Sequence, residues 1–157
     1  MRKRSTSLLL TALLASLLGS CVGPLAQTPE PLQKIRQQWQ AAADDGNAQA
    51  QYYLGQSYCC GNSSGYSTRT ALHWYCRAAL QGYANAQFEM ANILAGKQRD
   101  QSYSNAKSAL MWYTAAAAQG NERALAERSN IASKLSTANV REARHWATRW
   151  TQAQCPW

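Results

Sequence analysis

Covalent chemistry in this 157-residue chain could come from five cysteines, two histidines and one Ser-x-x-Lys spacing. Ser104-Asn105-Ala106-Lys107 sets an amine one helical turn from a hydroxyl, where it could take the proton of a serine nucleophile. The Ser-Asp-Asn and Lys-Thr-Gly segments that accompany this motif in acyl-serine enzymes are absent. Ser104 also stands where a helix should begin, and serine is a favoured N-cap, so the motif is read as a helix start. His73 and His145 each precede a tryptophan, in a slot that Met111 fills elsewhere in the chain. A slot shared with methionine is a packing or surface slot, not that of a general base. The adjacent Asp44 and Asp45 fall at a helix end and turn, with no second acid opposite them. Cys59 and Cys60 have His73 nearby but lack the second, matching cysteine pair of a zinc site. There is no Gly-rich phosphate loop or dinucleotide fingerprint. The expectation is a chain that is not an enzyme, with no catalytic residue, no metal and no cofactor.

Cys21 has a different setting. Residues 1–7 are short, polar and basic, and Leu8 to Leu18 form an apolar run too short for a bilayer span, which needs about 20 residues. The run has the length of a secretory signal's apolar region. It ends in Leu18-Gly19-Ser20-Cys21, which resembles the lipobox of bacterial lipoproteins. The resemblance implies a signal peptide over 1–20, diacylglycerol on the Cys21 thiol, and a mature chain that starts there. Two or more acyl chains anchor firmly, so a membrane attachment through lipid is expected without a transmembrane helix. Val22 follows in place of an aspartate, which by resemblance to enteric sorting implies the outer membrane, facing the periplasm. Residues 21–31 hold three of the four prolines and read as a non-helical tether reaching roughly 30 Å.

Formal net charge is +8, but Arg2, Lys3 and Arg4 belong to the leader, and the remaining cations are scattered. Nucleic-acid binding needs a clustered basic face, so nucleic acid is excluded as an expected partner. Alanine and glutamine abound while proline and glycine are few, a helix former's composition.

The elements that would position any site come from an internal repeat. Gly46-Asn47-Ala48-Gln49-Ala50-Gln51-Tyr52 aligns with Gly82-Tyr83-Ala84-Asn85-Ala86-Gln87-Phe88, and Ala71-Leu72-His73-Trp74-Tyr75 aligns with Ala109-Leu110-Met111-Trp112-Tyr113. The glycines recur 36 and then 38 residues on, at Gly82 and Gly120. A weaker third copy reaches Ala143-Arg144-His145-Trp146, and residues 38–46 match the second helix of a unit. Each unit reads as two helices. Gln51, Leu54, Gly55 and Tyr58 share one face of the first; Ala71, Trp74, Tyr75 and Ala78 share one face of the second. Trp74 and Trp112 are expected in the core, and Gly55 is expected where a partner helix approaches closely. Gly82 and Gly120 stand where a helix end wants positive φ. Seven helices are predicted, at about 32–45, 47–60, 67–81, 83–95, 104–119, 121–134 and 138–153.

Residues 48–61 and 71–82 resemble the Sel-one-like repeat, a relative of the tetratricopeptide repeat. The second unit departs at Met90, Ala91 and Leu94; the third departs further, with Arg144, Ala147 and Trp150 where Leu, Tyr and Ala would stand. The resemblance implies an all-α, right-handed α/α solenoid of antiparallel helix pairs, a tetratricopeptide-like superhelix over residues 32–153 followed by a tail at 154–157. It also implies a concave binding face lined by first helices: Gln49, Tyr52, Gln56 and Cys59 from one unit, and Asn85, Phe88 and Asn92 from the next.

An oxidising periplasm makes disulfides expected among Cys59, Cys60, Cys76 and Cys155. A bond between neighbours would strain the peptide, so one of Cys59 and Cys60 is expected to bond Cys76 within one repeat. Cys155 is left free or paired with another protein. The function expected is a scaffold or adaptor for a periplasmic or envelope protein. The alternative is a cell-wall-related enzyme or a binder of muropeptide or penicillin, because cysteine-rich relatives of the repeat are linked to penicillin binding.

Overall fold

Five helices in the computed structural model, which describes residues 30–61, 65–98, 100–153 and 155, start where a side-chain oxygen meets free backbone N–H groups. The elements are α1 (Glu30–Asp44), α2 (Ala48–Tyr58), α3 (Thr68–Ala79), α4 (Ala84–Leu94), α5 (Ala106–Ala118), α6 (Glu122–Ala132) and α7 (Thr137–Ala147), then a 3-10 turn at Trp150–Gln152. Asn47 caps α2, Ser67 caps α3, Asn105 caps α5, Asn121 caps α6 and Ser136 caps α7. Gly46, Gly82 and Gly120 take positive φ just past α1, α3 and α5, as the repeat alignment requires. The signal segment, Cys21 and residues 22–29 of the tether lie outside the described residues.

Three boundaries differ from expectation. The tether was expected to stay non-helical through Pro31, yet α1 begins at Glu30; a proline in the first turn lacks only an N–H that the helix does not use. The α5 cap is Asn105 rather than Ser104, and its side chain accepts from the Ser108 N–H at 3.0 Å. The last helix, expected to run to residue 153, stops at Ala147. Trp150 there turns inward, and its ring would lie 3.3 Å from a Cβ on Gly82.

The fold is an all-α repeat of packed helix pairs. The chain packs each helix on the next from α1 to α6, while α7 lies against α5 and forms no close hairpin with α6. Tyr75 and Tyr113 explain the difference. They are fully buried between the paired helices of the first two units, and Ala147 holds their place in the third. The core runs through α3, α4 and α5, with Leu72, Met90, Ile93 and Leu110 sealed from solvent. Trp74 and Trp112 are 8% and 3% exposed, as the repeat register requires. A Cβ on Gly55 would sit 2.8 Å from Cδ1 of Tyr75, the close approach expected of that glycine.

The repeat's buried glutamines are stitches between units. Gln51 Nε2 donates to the Ala43 carbonyl at 3.0 Å, and Gln87 Nε2 donates to the Ala79 carbonyl at 3.1 Å. Each acceptor lies in the last turn of the preceding unit's second helix, and its carbonyl also accepts from the N–H of the turn glycine, Gly46 at 3.1 Å or Gly82 at 3.0 Å. Leu125 takes this position in the third unit and is exposed, so that stitch is lost.

The disulfides overturn the expected pairing. Cys59 and Cys60 are bonded to each other, and Cys76 is bonded to Cys155 with the Cα atoms 6.0 Å apart. Cys76 is buried in the last turn of α3, far from the end nearest Cys59. The early stop of α7 lets the tail return across α5 to reach it. Cys155 is therefore neither free nor reserved for another protein.

Candidate functional site

The first helices of the three units carry equivalent residues, and a groove opens between the second and third of them. Gln49, Asn85 and Arg123 correspond, as do Tyr52, Phe88 and Ala126, Tyr53, Glu89 and Glu127, and Gln56, Asn92 and Asn130. Positions three and four apart share a helix face, so each set of four forms one stripe on α2, α4 or α6. The row Tyr52, Phe88, Ala126 shrinks along the chain. A cavity of about 520 Å³ opens where it is smallest, bounded by Phe88, Asn92, Lys97, Arg123, Ala126 and Glu127.

Aromatic rings build the α2 end. Tyr52 packs on Tyr53, Tyr75 and Tyr83 at centroid distances of 5.3, 5.9 and 5.2 Å, and Trp39 stacks on Tyr53 at 4.8 Å. Burial raises the phenol pKa of Tyr52, with Glu89 and Tyr83 adding to it, and burial likewise raises that of Tyr83. These hydroxyls stay neutral and can donate as well as accept.

Charge builds the α6 end. Arg123 pairs with Glu89 at 3.1 Å and lies over the Phe88 ring, 4.1 Å from its centroid. Lys97 pairs with Glu127 at 2.5 Å, and that hydrogen bond holds the Glu127 carboxyl below its ordinary value. Asn121 Nδ2 donates to Asn85 Oδ1 at 3.1 Å. These three links join α6 and its cap to α4 and to the turn after it, and so set the groove's width.

The expected binding residues divide into two groups. Gln49 and Gln56 on α2 and Asn85 on α4 are exposed. Tyr52 is half-buried and Phe88 is buried, so they form floor and wall. Asn92 serves mainly to hold the core: its oxygen accepts from the buried Tyr113 hydroxyl at 2.7 Å and its amide donates to Glu89 at 3.0 Å. Cys59, half-buried, is tied to Cys60. Sequence reasoning missed Tyr53, Glu89, Arg123 and Glu127. The 36- and 38-residue offsets would have found them, had they been carried into the third unit.

The Ser-x-x-Lys motif does not assemble a dyad. Lys107 Nζ pairs with Glu142 of α7 at 2.8 Å, while Ser104 faces Gly96. His73 and His145 are both exposed, and His145 contacts Arg149. Compared with protein-family models and with curated proteins, the chain matches none.

Proposed function

We propose that the chain is a lipid-anchored envelope protein of the Sel-one-like repeat class, and that its groove captures an extended segment of a periplasmic partner. One observation carries the reading: a continuous α2–α4–α6 face combines exposed amides with aromatic floor residues and ends in paired charges. Amides can satisfy a partner's backbone, and rings can receive its apolar side chains. The paired charges favour a segment with polar or ionic groups at one end. The Cys21 lipid would hold the body at the outer membrane, and the proline-rich stretch would let it reach into the periplasm.

Gln56→Arg and Asn85→Arg place a long cation on the exposed part of that face, where an unpaired charge costs more than a lost contact. Crosslinking in intact cells should show both variants losing partners that the parent captures, with helicity unchanged. Ser104→Ala, His73→Ala and His145→Ala should capture the same partners as the parent. Identical capture by both arginine variants would sink the adaptor reading. Cys21→Ser should move the protein out of the membrane fraction and lower its mass by the lipid, and an unchanged fraction and mass would refute the anchor.

A further inference from the structure

A second cavity, of about 660 Å³, lies away from the groove between residues 102–105, α5 and the C-terminal tail. We propose that it binds a neutral saccharide. Trp112 and Leu94 form its floor, while Tyr103 and Trp146 stand at its sides.

Trp146 is the first reason. Its repeat counterparts Trp74 and Trp112 are core residues, yet Trp146 is 43% exposed beside a cavity. An indole held there presents a flat apolar face to a ligand, and aromatic side chains suit ligands that are apolar on one side and polar at the edge.

Polarity is the second reason. Beside the rings, the lining offers the hydroxyls of Ser104 and Ser108 and the amides of Asn105 and Gln152. The Asn105 oxygen is taken by the α5 cap, so the group it can offer a ligand is its NH2 donor. No charged side chain lines the cavity among the described residues, although the chain carries sixteen Lys and Arg. A phosphate or carboxylate would find no counter-charge, and a wholly apolar ligand would strand the hydroxyls and amides without partners. A pyranose, with a C–H face and a rim of hydroxyls, answers both demands, and the volume falls in the range of small-molecule sites.

The tail is the third reason. Gln152 and Ala153 close one side of the cavity, and the segment that carries them is tied to α3 through Cys155 and Cys76. The site is complete only in the oxidised protein. This proposal is independent of the groove and of any partner bound there.

Maltotriose and chitotriose, titrated into the detergent-solubilised full chain, are the probes, with trigalacturonate as the anionic control; calorimetry and tryptophan fluorescence are the readouts. Saturable binding of either neutral sugar, and weaker binding of the anion, are expected. Trp146→Ala should weaken binding by about tenfold. Gln152→Arg, an exposed change that sets a cation at the rim, should weaken it as well, and serves if Trp146→Ala fails to fold. Cys155→Ser, or reductant added to the parent, should also weaken binding. The proposal is overturned if neither neutral sugar saturates by about 10 mM, if the anion binds as tightly, or if binding survives all of these changes intact.

Discussion

Cys76 on α3 and Cys155 beyond the last helix are bonded across 79 residues of chain, with their Cα atoms 6.0 Å apart. The bond joins the first complete helix pair to the tail, so it spans both remaining pairs. A cross-link closing so long a loop restricts the unfolded chain strongly, a contribution of about 2–4 kcal/mol. Cys155→Ser should lower the melting temperature of the oxidised protein. Reductant should lower the parent's melting temperature towards the variant's and shift the variant less. Equal melting temperatures for oxidised parent and variant would contradict the cross-link.

Gly55→Ala should destabilise although alanine is the better helix former by about 1 kcal/mol. The added methyl would meet the Tyr75 ring at 2.8 Å, and that ring is enclosed. Overpacking of this kind costs about 1–3 kcal/mol, which exceeds the propensity gain. Urea unfolding decides the sign, and a stabilised variant would show that α2 and α3 pack less closely than described.

Gln51→Met and Gln87→Met keep side-chain length but remove one of the two donors to the carbonyls of Ala43 and Ala79, which keep the N–H groups of Gly46 and Gly82. Losing one buried hydrogen bond while the acceptor keeps another costs about 0.5–1.5 kcal/mol. Gln51 also accepts from Gln81 Nε2 at 2.8 Å, so its replacement should cost more than that of Gln87. Denaturant midpoints measure both, and the order of the two losses tests the stitching role.

Glu127 makes the α6 side of the groove sensitive to acid. Its hydrogen bond with Lys97 lowers its pKa from 4.5 in the folded protein. The stabilisation is therefore fully present above pH 4.5 and is lost as pH falls through the lower, folded value. Both partners are partly exposed, so the effect stays below about 1 kcal/mol and shrinks with salt. Glu127→Gln should be slightly less stable than the parent at neutral pH and should flatten the drop in melting temperature between pH 4.5 and lower values. Parallel curves for the two proteins would remove Glu127 from the acid response.

The groove shows how partial the reading from sequence could be. Gln49, Tyr52, Asn85 and Phe88 were placed at equivalent positions because helical spacing and repeat offset both point to them, and both are properties of the linear chain. The charged end escaped because Arg123 and Glu127 sit in a unit whose sequence has drifted. The second role of Asn92 was hidden for another reason: its contact with Tyr113 joins residues 21 apart on different helices.

Helix number, the glycine turns, the burial of Trp74 and Trp112 and the tight contact at Gly55 all follow from periodicity and from what each backbone position tolerates. Those are local properties, so the sequence by itself determined them. Which cysteines meet, where α7 stops and what surrounds Trp146 were decided only by tertiary structure. The early stop of α7 brings Trp150 to Gly82 and Cys155 to Cys76. Such contacts depend on how helices distant in the chain settle against one another, and no spacing within a single repeat encodes that.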